Sequence, residues 1–186
     1  MDYKILYLFV EGDDDEKLFL KIFLPKLRKK NDDIKIIKYA QKTKKFEYIR
    51  KFVKSIQSMG ADYIYVTDIN NSQCVTARKQ EAQNNLRNIE CDKIIVVIKE
   101  IESWYLAGLS DTECRSLQMR TFSVTNDITK EQFDSLRPNK FGSRIDFMSE
   151  ILKKYSIKIA KQKNKSFRYY IEKYNCESSE NINNER

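Results

Sequence analysis

Short apolar runs alternate along the N-terminal half of the chain with longer segments in which apolar residues recur every three or four positions. The runs predict buried β-strands, and the longer segments predict helices with one apolar face. This β-α-β-α-β-α-β order favours an α/β fold of the Rossmann-like type, with a mainly parallel four-stranded sheet flanked by helices. The predicted strands are Tyr3–Val10, Ile34–Tyr39, Tyr63–Thr67 and Lys93–Ile98, and the predicted helices are Asp14–Arg28, Lys45–Ser58 and Thr76–Arg87.

The apolar pattern becomes weaker after Leu109, and residues 110–126 predict a loop or a short strand. Extra C-terminal helices follow, in which apolar stripes recur at helical spacing. They are predicted at Thr129–Leu136, Ser143–Tyr155 and Ser166–Tyr174. We therefore expect an α/β domain over residues 1–110, a basic helical extension packed on it over residues 111–175, and a disordered tail over residues 176–186.

Single residues refine these predicted elements. Pro25 lies near the end of the first helix and predicts a kink or an early stop, because proline cannot donate the helical hydrogen bond. Gly60 follows the second helix and predicts a C-terminal cap. The lysines within Ile34–Tyr39 place that strand near an edge of the sheet.

Carboxylates follow three of the predicted strands. Glu11 follows the first strand and precedes Gly12, Asp68 follows the third, and Glu100 and Glu102 follow the fourth. The C-terminal ends of parallel strands share one edge of a sheet, so we expect these acids to converge although they lie far apart in sequence. The alternative is that the strand ends emerge into water, where acidic residues need no special role.

The acidic residues from Glu11 to Glu16 have two interpretations. Acids are favoured at the first turn of a helix, so Asp13, Asp14 and Glu16 are assigned to helix capping. Glu11 precedes the cap and lies at the strand end, which favours a catalytic or metal-binding carboxylate. Asp15 is the candidate for a supporting carboxylate beside Glu11.

The composition narrows the chemistry of such a site. The chain has no histidine, which excludes Ser-His-Asp and Cys-His nucleophiles and the HExxH metalloprotease motif. Its four glycines form no phosphate-binding loop, and its four cysteines contain no CxxC pair. Carboxylates alone suit hard cations, so magnesium or manganese is the expected cofactor.

The distribution of charge favours a polyanionic partner. The net charge is +8, and most of the excess lies between residues 130 and 175. We expect nucleic acid as the partner, although basic helices are often only solvated faces. No apolar run approaches the roughly 20 residues that a membrane span needs, so a cytoplasmic protein without a membrane partner is expected. The candidate phosphate contacts are Lys161, Lys163, Lys165 and Arg168.

Several of these motifs together resemble the Toprim domain. Val10–Gly12 followed by Asp15 is similar to its opening motif, and Asp68–Asn70 lies where the family has its Asp-x-Asp metal motif. Glu100–Leu106 is similar to a signature after strand four in small stand-alone Toprim-like proteins, which are related to OLD-type nucleases and include defence-associated members. Lys165–Arg168 is similar to their C-terminal helix. The resemblance extends over nearly all of the chain.

The resemblance implies a metal-dependent nuclease that cleaves phosphodiester bonds in DNA or RNA. It implies that Glu11 is the general acid/base or a metal ligand, and that Gly12 provides a tight turn. Asp68 and Asp15 would hold magnesium, and Glu102 would be a further ligand.

The sequence departs from the family at Asn70, where many members have a second aspartate. An asparagine can coordinate through its carbonyl oxygen but adds no charge, and Glu100 or Glu102 could compensate. Two alternatives to an active nuclease therefore stay open. One is a catalytically weak or inactive Toprim-like module that binds nucleic acid or a nucleotide. The other is an effector controlled by a partner protein of a defence system.

Overall fold

A computed structural model describes residues 3–174 and contains a four-stranded sheet in which every pair of neighbours is parallel. The strands are β1 (Ile5–Val10), β2 (Asp33–Lys38), β3 (Asp62–Asp68) and β4 (Ile94–Val97). Their order across the sheet is β2-β1-β3-β4. The predicted α/β architecture is confirmed, and β2 lies at an edge as its lysines indicated. The predicted tail, residues 176–186, lies outside the described residues.

The burial of the strands follows from this order. The central strands β1 and β3 are buried over most of their length, because helices cover both faces of the sheet. In β2 the side chains are half-buried or exposed, and Lys35 and Lys38 are among the exposed ones. A strand at the edge can tolerate lysine because its outer side stays in water.

The first helical segment is continuous but has three parts. They are α1 (Asp13–Leu18), a π-helical turn (Phe19–Phe23) and α2 (Leu24–Leu27). Pro25 has no N–H to donate, and its ring crowds the carbonyl four residues earlier, which the wider π turn accommodates. The disturbance predicted from Pro25 therefore takes the form of a π turn before the proline.

Two helices, α3 (Lys45–Ser58) and α4 (Val75–Leu86), cover one face of the sheet. The bounds of α3 are those predicted, and the chain leaves the helix through Gly60 in the left-handed region, with φ 65°. Tyr7 and Phe9 of β1 contribute to the apolar cluster on this face.

Short helices follow β4 in the described part of the chain, and two of them correct the sequence analysis. The loop predicted for residues 110–126 is confirmed over residues 117–126 but is wrong over residues 111–116, which are helical; residues 157–163 form another helix that was not predicted. Both are too short to show an apolar period, and both start at a serine cap. Ser110 Oγ accepts from the Glu113 amide at 3.1 Å. The helices are α5 (Glu102–Ala107), α6 (Asp111–Ser116), α7 (Lys130–Leu136), α8 (Arg144–Lys153), α9 (Ile157–Lys163) and α10 (Lys165–Tyr174).

The C-terminal helices and α1 share an apolar core with the other face of the sheet. Leu6 and Leu8 of β1 point into this core, and Trp104 of α5 is fully buried within it. The ring of Tyr155 packs so closely on α5 that a Cβ at Gly108 would lie 2.3 Å from it. None of the helices within residues 3–174 has the length and apolar character that a membrane span requires.

Candidate active site

The C-terminal ends of β1, β3 and β4 open into one acidic cleft of about 360 Å³. The predicted convergence of acids is therefore present, although these residues come from distant parts of the sequence. Asn70 is the one predicted metal ligand that is absent from the described lining. The residues that line the cleft are Glu11, Gly12, Asp13, Asp14, Asp15, Asp68, Glu100, Ile101, Glu102 and Lys130.

Glu11 reaches the cleft from the end of β1. Its backbone is fixed because the Ala40 N–H donates to the Glu11 carbonyl at 3.1 Å. Its carboxylate oxygen Oε2 is buried and has no hydrogen-bond partner among the described residues. Such an oxygen is costly to bury unless a proton, a cation or water satisfies it. Of the described acids that line the cleft, Glu11 is the one whose carboxylate has a buried oxygen without a hydrogen-bond partner.

Gly12 is the N-terminal cap of α1 and has extended backbone, with φ −149°. A Cβ at this position would meet no atom within 4 Å. The turn therefore does not need the left-handed conformation for which glycine is usually required. The Gly12 N–H instead donates to Asp15 Oδ2 at 3.1 Å, which fixes this carboxylate at the start of the helix.

Burial raises the pKa of three acids in the cleft, namely Asp15, Asp68 and Glu102. Desolvation raises the pKa of Asp15 to about 7; the bond from Gly12 opposes this rise, and the charges of Glu11 and Glu102 add to it. Burial also raises the pKa of Asp68 well above its ordinary value, and the nearby charges of Asp15 and Glu11 add to the rise. A cation placed among these groups would favour their charged forms.

The cleft borders on an arginine that the sequence analysis did not single out. Arg144, at the start of α8, pairs with Asp14 at 3.2 Å and also with Glu102 and Asp134. Its guanidinium carbon lies 5.2 Å from the centre of the Phe133 ring. In the sequence this arginine is one basic residue among many, because its partners come from helices whose packing a linear pattern does not reveal.

Lysines engage other acids of this region. Lys38 Nζ lies 2.8 Å from Asp13 and 2.7 Å from Glu16, so both acids belong to an ion-pair cluster beside the start of α1. The backbone N–H of Lys130, the first residue of α7, donates to Glu100 Oε2. Asp13, Asp14 and Glu16 lie in the first turn of α1, where acids were predicted to cap the helix, but the described side chain that accepts from the Gly12 N–H is that of Asp15.

A buried arginine of α4 fixes the end of β3. Arg78 Nε donates to the Asp68 carbonyl at 2.8 Å, and Arg78 Nη2 donates to Thr67 Oγ1 at 2.7 Å. Asn70, two residues beyond Asp68, is exposed and has left-handed backbone with φ 49°. The predicted metal motif Asp68–Asn70 is therefore divided: its first residue lines the cleft, and its last residue points to solvent.

The basic residues predicted to contact phosphates are not among the described residues lining the cleft. Lys163 Nζ donates to the Leu109 carbonyl at 2.7 Å and lies 3.6 Å from the Asp111 carboxylate, so its charge is already engaged within the fold. Lys161 is half-buried, and Arg168 is exposed.

Lys165 lies in a second groove of about 510 Å³, which is lined mainly by α4, α10 and the end of β4. Lys79 and the exposed Tyr169 line the same groove, and Lys79 Nζ lies 5.5 Å from the centre of the Tyr169 ring. This groove therefore combines positive charge with an accessible aromatic ring.

The acidic cleft fits a hard divalent cation in the type of its donors. Carboxylate oxygens are the ligands that magnesium and manganese prefer. Within residues 3–174, however, no three Asp, Glu or Cys side chains are close enough together to hold a metal ion as they stand. Comparison of the chain with protein-family models, curated proteins and solved structures gave no match.

Proposed function

We propose that this protein is a metal-dependent nuclease that hydrolyses phosphodiester bonds in DNA or RNA with magnesium or manganese. The observation that carries the proposal is the cleft, because carboxylates from three strand ends meet there in a chain without histidine. Crowded carboxylates with raised pKa values gain from a bound cation. The Toprim resemblance of the strand-end motifs supports the same chemistry.

The proposed roles follow from the position of each acid. Glu11, Asp15 and Asp68 would provide the main metal-binding oxygens, with Glu100 and Glu102 as additional donors. A cation bound there would supply an acidified water and charge neutralisation for a phosphate. Glu11 is also the proposed general acid/base, because its buried Oε2 has no hydrogen-bond partner among the described residues.

Nucleic acid is the proposed substrate because the chain has a net charge of +8 and because lysines line both the cleft and a second groove. Lys130 lines the cleft itself, and Lys79 and Lys165 line the second groove beside the exposed Tyr169. Lysines contact phosphates, and an accessible aromatic ring can stack on an unpaired base. The second groove is therefore the proposed contact for a single strand.

A second candidate is a module that binds nucleic acid or a nucleotide without turnover. Two observations favour it: the acids within residues 3–174 form no ready metal-holding group, and Asn70 does not line the cleft. It predicts salt-sensitive binding that does not depend on metal. The Toprim resemblance adds a third candidate function. In it the protein is a cytoplasmic effector of phage defence that cleaves nucleic acid only when a partner protein is present.

Cleavage assays with a Glu11→Gln variant separate these candidates. The protein is incubated with plasmid, single-stranded DNA and tRNA in magnesium, manganese or EDTA. We expect metal-dependent cleavage of at least one substrate and a loss of about 100-fold or more in the variant, as for removal of a general base. Glu47→Gln is the control, because Glu47 is on α3 and pairs with Lys51 at 2.9 Å. If wild type cuts nothing, or if Glu11→Gln cuts equally well, the proposal is wrong.

A further inference from the structure

Arg144 is a cation that the acidic region already contains. Its Nη2 donates to Glu102 Oε1 and to Asp14 Oδ2, and its Nη1 donates to Asp134 Oδ1. The guanidinium keeps its charge throughout the physiological pH range, and its planar fork matches the geometry of carboxylates. One side chain of α8 therefore neutralises acids from α1, α5 and α7 at the same time.

The environment of Arg144 distinguishes this cluster from an ordinary surface ion pair. The side chain of Glu102 is 5% exposed and that of Arg144 is 21% exposed. The Phe133 ring lies against the guanidinium and adds a cation–π contact. At this depth water and salt screen the charges weakly, and loss of one partner leaves a buried charge without compensation.

Arg144 and a metal ion would need the same acid. Glu102 Oε1 accepts from Arg144, so this oxygen is engaged while the ion pair is formed. A divalent cation among the neighbouring carboxylates would also repel the guanidinium. The ion pair therefore withholds one oxygen of Glu102 from any cation that enters the cleft.

We propose that Arg144 is a positioning residue that competes with the divalent cation, and that metal binding requires its release from Glu102. The inference rests on the proposed function in one respect, namely that a divalent cation enters the cleft. Asp134 and Phe133 keep the released guanidinium beside the cleft, where it can pair with a phosphate of the substrate. Metal and polyanion would then bind cooperatively, and metal alone would bind weakly.

Competition between Arg144 and the metal ion predicts that the protein binds the metal more tightly when Arg144 is replaced by a neutral residue. Metal-free protein is titrated with manganese by isothermal titration calorimetry. We expect Arg144→Gln to bind manganese at least about tenfold more tightly than wild type, because Glu102 no longer has to exchange the guanidinium for the metal and the nearby positive charge is gone. Arg137→Gln is the matched control, since Arg137 is exposed just after α7 and contacts the Phe141 carbonyl. Equal or weaker binding by Arg144→Gln overturns the inference.

A second measurement uses wild type alone and does not depend on the folding of a variant. The Nε–H of Arg144 donates to Asp14 Oδ2 at 3.3 Å, so its ¹⁵N NMR resonance reports the ion pair. We expect this resonance to shift with added magnesium in step with binding, while that of Arg137 stays in place. A fixed resonance at saturating magnesium identifies a purely structural arginine and rejects the inference.

These outcomes distinguish the inference from the proposed function. Metal binding that is equal in wild type and Arg144→Gln rejects the competition and leaves the metal site intact. If neither wild type nor Arg144→Gln binds manganese up to millimolar concentrations, the proposed metal dependence is wrong. The inference about Arg144 is then wrong as well.

Discussion

The indole Nε1 of Trp104 donates a hydrogen bond to Ser166 Oγ at 2.8 Å and thereby joins α5 to α10. Ser166 Oγ also accepts from the Ile98 N–H at 3.2 Å and donates to Asn164 Oδ1 at 2.9 Å. Asn164 continues this buried network by donating to Ser103 Oγ at 3.2 Å. The segment after β4 and the start of α10 are therefore in contact, and their contact positions α5 at the cleft.

We expect Ser166→Ala to lower the free energy of unfolding by about 1–3 kcal/mol, because it leaves the buried donors of Trp104 and Ile98 unsatisfied. Urea unfolding measures the loss. Ser149→Ala is the control, since its exposed hydroxyl donates only to the Ile145 carbonyl on the same helix, and its effect should stay within about 0.5 kcal/mol. Similar losses in both variants would contradict a role for the network.

The pKa of Asp15 predicts how stability depends on pH. Its value is about 7 in the fold against an ordinary value of 3.8, so the folded state binds this proton more tightly than the unfolded state. The resulting stabilisation is complete below the unfolded pKa and is lost as pH rises towards about 7. In EDTA, wild type should therefore lose on the order of 1 kcal/mol per pH unit between about pH 4 and 7, relative to Asp15→Asn.

Asparagine retains an oxygen that accepts from the Gly12 N–H, so Asp15→Asn isolates the charge. Chemical unfolding across this pH range measures the difference. Asp13→Asn is the control with the opposite sign, because the hydrogen bond and the charge of Lys38 lower the pKa of Asp13. A difference between wild type and Asp15→Asn that does not change with pH would show that Asp15 ionises as freely in the fold as in the unfolded chain.

The second groove predicts a salt-dependent contact with nucleic acid. Binding of a labelled single-stranded oligonucleotide is followed by fluorescence anisotropy in EDTA. We expect Lys79→Gln with Lys165→Gln to reduce the slope of log affinity against log salt by about 1.4, since each phosphate contact with a single strand contributes about 0.7. Tyr169→Ala should weaken binding by about 1–3 kcal/mol and leave the slope unchanged.

The matched control also removes two lysine charges, but at positions outside the second groove. Lys29 is exposed in the turn after α2 and Lys54 is exposed on α3, so Lys29→Gln with Lys54→Gln should leave the slope nearly as in wild type. If both double variants lose affinity equally, the binding reflects net charge alone, and the groove is not the contact.

The strands and the convergence of acids could be predicted because both follow from the positions of apolar runs along the sequence and of the acids that end them. A buried parallel strand is a continuous apolar run, and parallel strands end at one edge, so Glu11 and Asp68 could be placed together before the structure was known. The bounds of α3 followed from its regular apolar stripe and from Gly60.

The remaining features depend on contacts between distant segments. α6 and α9 are too short to show a period, and serine caps alone do not identify a helix. Asn70 leaves the cleft because of one left-handed residue conformation, which an asparagine permits but does not require. Arg144 reaches Glu102 only through the packing of α8 on α5, and no linear motif indicates this packing.

The most direct test of a divalent cation held by strand-end acids is the thermal stability of the protein in manganese. Metal that binds the folded state must raise stability by mass action, so the melting temperature of wild type should rise over millimolar manganese. Asp68→Asn should reduce this rise, because asparagine keeps an oxygen but removes the negative charge of the ligand. Asp62→Asn should retain it, because Asp62 lies at the opposite end of the same strand and pairs with Lys93 at 2.7 Å. No rise in wild type, or an equal rise in Asp68→Asn, would contradict the account.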